Sequence, residues 1–380
     1  MKIILNHSSN HESNEYLRAL WAKFRTVYGK CAWQFMPHKH GQSKTVHFGF
    51  MDIGLDSTFE VSINYERKGV IKSINLESSL PREQLDLVST LCSGLSQSSN
   101  KEPFIISTVL DSRLPSFAPV VGNGYRIFHR DSGESVLEVQ VLAFDHHDAV
   151  HIAACKLQNI CDLLAVFTNS FVKLTQFMCS KSFTEVTENL LFSGDLDWVD
   201  DHPIENKLTT LASYQKSALD LLLQGKVKNQ FINGAAHFNN AAFLLKDYSL
   251  AQGALTDTAT VLYVSALESC AMTRDVVKES CSSCGQVKYS IRRRVLDLVG
   301  EFLPSHLVRF IDGYYASRSK FLHEGIKSSN NNYFGTSIPQ LSLSSDSGCK
   351  VATTVLPINL RDYVSYIFRG TAMSEVAYDS

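Results

Sequence analysis

The period of the apolar pattern changes near residue 205, and that change limits the folds open to the chain. Before it, apolar and β-branched residues alternate in short runs separated by Gly, Asp and Ser, at 45–53, 58–65 and 70–76. The pattern resumes at 104–110, 125–129 and 136–144, with Gly122-Asn-Gly124 and Asp131-Ser-Gly133 as turns. Alternation with period two predicts half-buried antiparallel strands. Pro81 ahead of Arg-Glu-Gln predicts a helix to about residue 95, since proline is tolerated in a first turn. Ala149, Ile152, Ala153, Leu157, Ile160, Leu164 and Phe167 recur at helical spacing up to Asn169, and a strand is expected at 172–178. The first half therefore reads as two sets of three strands, each followed by a helix.

Beyond residue 205 the spacing predicts helices at 206–223, 229–246, 257–271, 287–303, 305–323 and 359–377. Short connections between helices favour a bundle. Residues 328–355 are Ser/Asn-rich and read as a surface loop. Residues 184–205 hold seven acidic side chains and no Lys or Arg, the composition of a solvated linker. The expected fold class is an α+β N-terminal domain followed by an all-α helical bundle. Its parts are an antiparallel sheet plus helices at 1–183, an acidic linker at 184–205 and the bundle at 206–380.

Composition narrows the function classes. A net charge of −2 over 380 residues leaves nucleic-acid binding to a local patch. Residues 286–330 supply one, with eight Lys/Arg against four Asp/Glu. Nine scattered cysteines argue against a secreted disulfide framework. The apolar run after Lys2 is too short for a signal-peptide core, and no run reads as a membrane span, so the expectation is cytoplasmic with no membrane partner. No phosphate-binding loop, nucleophile elbow or dinucleotide fingerprint occurs.

One segment carries chemistry: Tyr314-Tyr315-Ala-Ser-Arg318-Ser319-Lys320-Phe-Leu-His323-Glu-Gly325. Arginine presents a fixed cationic fork suited to phosphate, and histidine exchanges protons near neutral pH. Together they suffice to cut RNA without a metal, because RNA carries its own nucleophile. Five residues apart, however, the two side chains lie about 140° apart on an ideal helix. Either the helix loosens before Gly325 or the site is composite. The competing structural reading is a helix end, with His323 favoured by the dipole and Gly325 as its C′ residue.

Upstream stands Cys281-Ser-Ser-Cys284-Gly-Gln, then Arg292-Arg293-Arg294. The order C-x-x-C-G-Q, helix, R-S-K-x-x-H-x-G resembles the Apea-like branch of the HEPN superfamily, over roughly residues 205–380. The resemblance implies a metal-independent endoribonuclease, acting as a homodimer, with Arg318 and His323 catalytic. It also implies a toxin-like or anti-phage role, with a phage-derived or small-molecule trigger acting on the N-terminal domain. The alternative is a non-catalytic HEPN dimerisation or RNA-binding module. Ser319 departs from the Asn, Asp or His that many members place after the arginine.

Arg292, Arg293 and Lys320 are the candidate RNA contacts, against the plainer reading of a solvated basic face. Tyr314 and Tyr315 can stack on bases, though helix aromatics more often serve a core. Catalysis calls for no cofactor. Cys281 and Cys284 form half of a structural zinc site, with Cys270 and Cys349 as further thiols, or else two reduced thiols in a turn. His147-Asp-Ala-Val-His151 has Asp where a zincin needs Glu and reads as a helix start with two exposed histidines.

Overall fold

The computed structural model describes the chain outside residues 6, 30, 40–43, 68, 97–100, 189–203, 247–252, 275–290, 327–339, 342–348, 351–356, 375–376 and 379–380. Its contacts divide it into two compact units, Met1–Phe104 with Val141–Ile152, and Ile105–Gln140 with Ala153–Ser380.

In the first unit, β1 (Lys2–Ile4) leads to α1 (Asn10–Tyr28), four strands β2 (Ala32–Lys39), β3 (Thr45–Asp52), β4 (Phe59–Arg67) and β5 (Val70–Glu77), then α2 (Arg82–Ser93). The strands form an antiparallel sheet in the order β1-β5-β4-β3-β2. The core lies on one face, where Leu20 and Phe24 of α1 and Val88 of α2 join Met51, Phe59, Val61, Ile74 and Leu76. On the other face, cross-strand polar pairs replace apolar ones: Thr45 bonds to Asn64, which donates to Ser73 (3.1 Å), while Asn75 donates to Ser62 (3.3 Å).

Residues 1–44 carry no expected element, yet β1, α1 and β2 fill most of them. The start of α1 was encoded: the Ser9 hydroxyl accepts the Glu12 N–H (3.1 Å), and the Glu12 carboxylate reaches back to the Ser8 N–H (2.8 Å), a capping arrangement that satisfies orphan helix donors. Pro37 lies within β2, where the register shifts between Phe35 and His38; an edge strand with a bulge tolerates a residue that lacks an N–H.

The second sheet has the order β10-β6-β9-β8-β7, from β6 (Glu102–Ser112), β7 (Val120–Gly122), β8 (Tyr125–His129), β9 (Ser135–Ala143) and β10 (Val172–Ser180). Between β9 and β10 runs α3 (His146–Phe167), long and apolar enough by composition to cross a membrane. Leu157, Ile160, Leu163, Leu164 and Phe167 are fully buried, so it serves as the core helix of this unit. A small hairpin, β11 (Ile204–Glu205) and β12 (Leu208–Thr209), precedes α4 (Ser213–Leu223), α5 (Asn229–Leu244), α6 (Gly253–Ala271), α7 (Ile291–Phe302) and α8 (Ser305–Glu324). A second hairpin, β13 (Gln340–Leu341) and β14 (Cys349–Lys350), comes before α9 (Pro357–Met373).

The expected fold class needs correction. Residues 206–380 do not form a separate all-α bundle; their helices build one unit with the second sheet, and the chain is mixed α+β. The link is explicit at Asn239 on α5, whose side chain accepts the N–H of Val172 on β10 (3.0 Å) and donates to its carbonyl (2.8 Å). A side-chain amide thus stands in for a neighbouring strand. Asn239 also donates to the buried Asp162 of α3 (2.7 Å), whose carboxyl is pushed up by burial. Such a network must be fully paired to be tolerated inside a core.

Candidate functional site

The site is built on α8, with α6 and α7 beside it. Among its described residues α8 buries only Ile311 completely. Six of its exposed positions, His306, Arg309, Gly313, Ala316, Lys320 and His323, follow a three-four spacing and form one stripe, while Ser305, Leu322 and Glu324 at the two ends are exposed beside it.

The helix does not loosen at its end. Gly325 takes a left-handed φ of 69°, and its N–H bonds to the Phe321 carbonyl (3.1 Å) while Ile326 bonds to Lys320 (3.4 Å). This double closure is the glycine-dependent helix stop. Regular geometry to Glu324 keeps Arg318 and His323 about 140° apart. His323 lies on the exposed stripe, whereas Arg318 turns toward α6.

There Arg318 is already bound. Nη1 and Nη2 donate to the two carboxylate oxygens of Glu268, each at 2.9 Å. The two side chains are 21% and 18% exposed, so the pair is largely shielded. The Tyr315 hydroxyl donates to the same carboxylate (2.8 Å), and burial together with that bond pushes its phenol up. The guanidinium also lies over the Tyr315 ring, 5.7 Å from its centroid. Planar bidentate pairing of this kind is the strong form of an arginine contact.

The other expected residues are dispersed. Arg292 on α7 grips Asp312 of α8 through Nε and Nη2, both at 2.7 Å, and holds that carboxyl below the usual range. Arg293 is exposed, 3.9 Å from Asp297, and Lys320 is exposed on α8. Arg294 turns inward, its Nη1 2.7 Å from the Met272 sulfur. Tyr314 is half-buried and packs edge-on to Phe310 at 5.3 Å, a packing position. Tyr315 is engaged by Glu268 instead of free for stacking.

Cys281 and Cys284 lie outside the described residues. Cys270 is buried, its thiol 3.7 Å from the Thr371 hydroxyl and pushed up to about 12 by burial, the setting of a core thiol. Among the described residues no group of His, Cys, Asp or Glu is arranged to hold a metal. His147 and His151 are exposed on α3, while Asp148 between them is clamped by Arg18 of α1 (2.7 and 2.8 Å) and accepts the Phe144 N–H (3.0 Å).

Sequence reasoning missed Glu268. The signal was present, since Glu268 is the one charged residue within 258–271. A lone carboxylate on an apolar helix requires a partner, and Arg318 is that partner. Comparison with protein-family models, with curated proteins and with solved structures returns no match to this chain.

Proposed function

We propose that the chain is a metal-independent endoribonuclease whose site is completed between two copies, Arg318 of one acting with His323 of the other. The observation that carries this reading is the stripe on α8. It ends on His323, has the small residues Gly313 and Ala316 at its centre, and places His306 and Arg309 at its far end. In a dimer built on this stripe His323 would face the partner, and Arg318, which points toward α6 of its own chain, would have to leave Glu268 to act with it.

In the reaction His323 takes the proton of the 2′-hydroxyl or returns one to the 5′-oxygen. Arg318 stabilises the charge on the non-bridging oxygens of the phosphorane. The products are a 2′,3′-cyclic phosphate and a 5′-hydroxyl. No cofactor enters these steps, and structural zinc at Cys281 and Cys284 would only brace the helix that precedes the one carrying Arg318 and His323. A toxin or anti-phage role, in the cytoplasm and set off by a trigger at the N-terminal unit, belongs to the same proposal.

A second reading is supported by one observation. Both Nη groups of Arg318 are spent on Glu268, as in a helical module that no longer cleaves. The two separate in one experiment, RNA incubated in EDTA with wild type, Arg318→Ala and His323→Ala. Cyclic-phosphate ends from the wild type alone support the nuclease. Intact RNA in every lane, with the chain dimeric, supports the module.

A further inference from the structure

The first unit holds a cavity of about 590 Å³ between the first half of α1 and the sheet, within the size range of small-molecule sites. Its walls continue the core of the unit. Ile63 and Ile71 line it from the sheet and are buried, whereas Val46, Phe48 and, from α1, Leu17 keep part of their surface exposed. Along α1 the lining residues Asn10, Ser13, Asn14 and Leu17 recur at three-four spacing, so one face of the helix passes from polar to apolar as it crosses the cavity. Apolar walls with a few polar groups are the composition of a ligand pocket.

Charge decides what such a pocket takes. Lys39 is the one charged residue among those that line it, and no carboxylate does. Register pairs Lys39 with Val46, and Val46 with the buried Ile63. Directly paired residues share a face, so the lysine stands on the apolar, helix-facing side of the edge strand β2. Its amine lies over the Tyr65 ring, 5.3 Å from the centroid, and forms no ion pair among the described residues. Asn10 and Asn14, joined to each other by a side-chain bond, add amide donors of the kind that orient a carboxylate.

We infer that this cavity binds a small amphipathic anion, an apolar body carrying one carboxylate. The body covers Leu17, Val46, Phe48 and Ile71, which the fold alone leaves incompletely packed around the cavity, and the carboxylate pairs with Lys39. The ligand site is independent of any RNA cleavage by the chain, because it lies wholly within the first unit.

The test is calorimetric titration of the full chain with decanoate, decanol and decylammonium, each below its micelle concentration. Decanoate is expected to bind one-to-one with a Kd at or below about 1 mM, decanol about tenfold more weakly, and decylammonium not measurably. Lys39→Gln should weaken decanoate about tenfold or more and leave decanol unchanged. Leu17→Trp fills the cavity from α1 and should abolish binding of both. Should that variant fail to fold, shifts of the Val46 and Ile71 methyl signals on adding decanoate to the wild type locate the ligand instead. Three results overturn the inference: no binding at millimolar decanoate, equal binding of decylammonium, or ligand-induced shifts confined to other residues. Decanoate affinity indifferent to Lys39→Gln overturns it too, and leaves the lysine as a guard against pairing at the strand edge.

Discussion

Replacing Glu268 by Gln keeps the shape of the residue that holds Arg318 and removes its charge. In the wild type a phosphate entering the site must displace a carboxylate bonded through two contacts of 2.9 Å. Charge-assisted hydrogen bonds in shielded surroundings contribute about 1.5–3 kcal/mol. Displacement therefore costs roughly 10- to 100-fold in apparent affinity for RNA. Glutamine offers one neutral acceptor, so Glu268→Gln should recover about tenfold of that, lowering KM more than it changes kcat. The same change leaves a shielded guanidinium poorly paired and should lower stability by about 1–3 kcal/mol. The assay is steady-state cleavage of a fluorogenic RNA with thermal melts in parallel. A folded Glu268→Gln that cleaves no better than wild type, or worse, refutes the competition argument and makes Glu268 a positioning group for Arg318.

His323→Ala should abolish cleavage while moving stability by under about 0.5 kcal/mol, because the side chain is exposed on the α8 stripe; cleavage and melting curves check both. Gly313→Ala should stabilise the isolated chain by about 0.5–1 kcal/mol, since nothing lies within 4 Å of its Cβ position and glycine weakens helix interiors. Gly313→Arg should instead shift sedimentation toward monomer and reduce cleavage. Asp162 has a folded pKa raised by burial, so wild-type stability should fall as pH rises from the unfolded carboxyl value through the folded one. Asp162→Asn should remove that slope and hold or raise stability at neutral pH, in denaturant titrations across pH 4 to 7, a window set by the raised direction of the shift from about 4.

Much of the local structure was legible. The strands at β3, β4 and β5, the long α3 and the helices after α4 follow alternation or helical spacing, patterns imposed by which face is buried, whereas the helix expected from residue 206 begins only at Ser213, after the β11–β12 hairpin. α8 was legible to its last turn because Gly325 supplies the left-handed stop. The N-terminal α1 was harder, since its first turn is polar and its core positions, Tyr16, Leu20 and Phe24, begin late. β2 was obscured by Pro37, which sequence logic assigns to loops and the structure accommodates at a bulged edge.

The sequence by itself determined the elements, the Arg318 and His323 positions and their angular separation, since these depend on residues close along the chain. Tertiary structure alone decided what those elements meet. It joined the second sheet to the later helices through Asn239 and Asp162, and it brought Glu268 onto Arg318 across 50 residues. Pairings of that kind depend on which apolar faces bury each other and which polar groups are left to be satisfied inside, and neither is written in any local pattern.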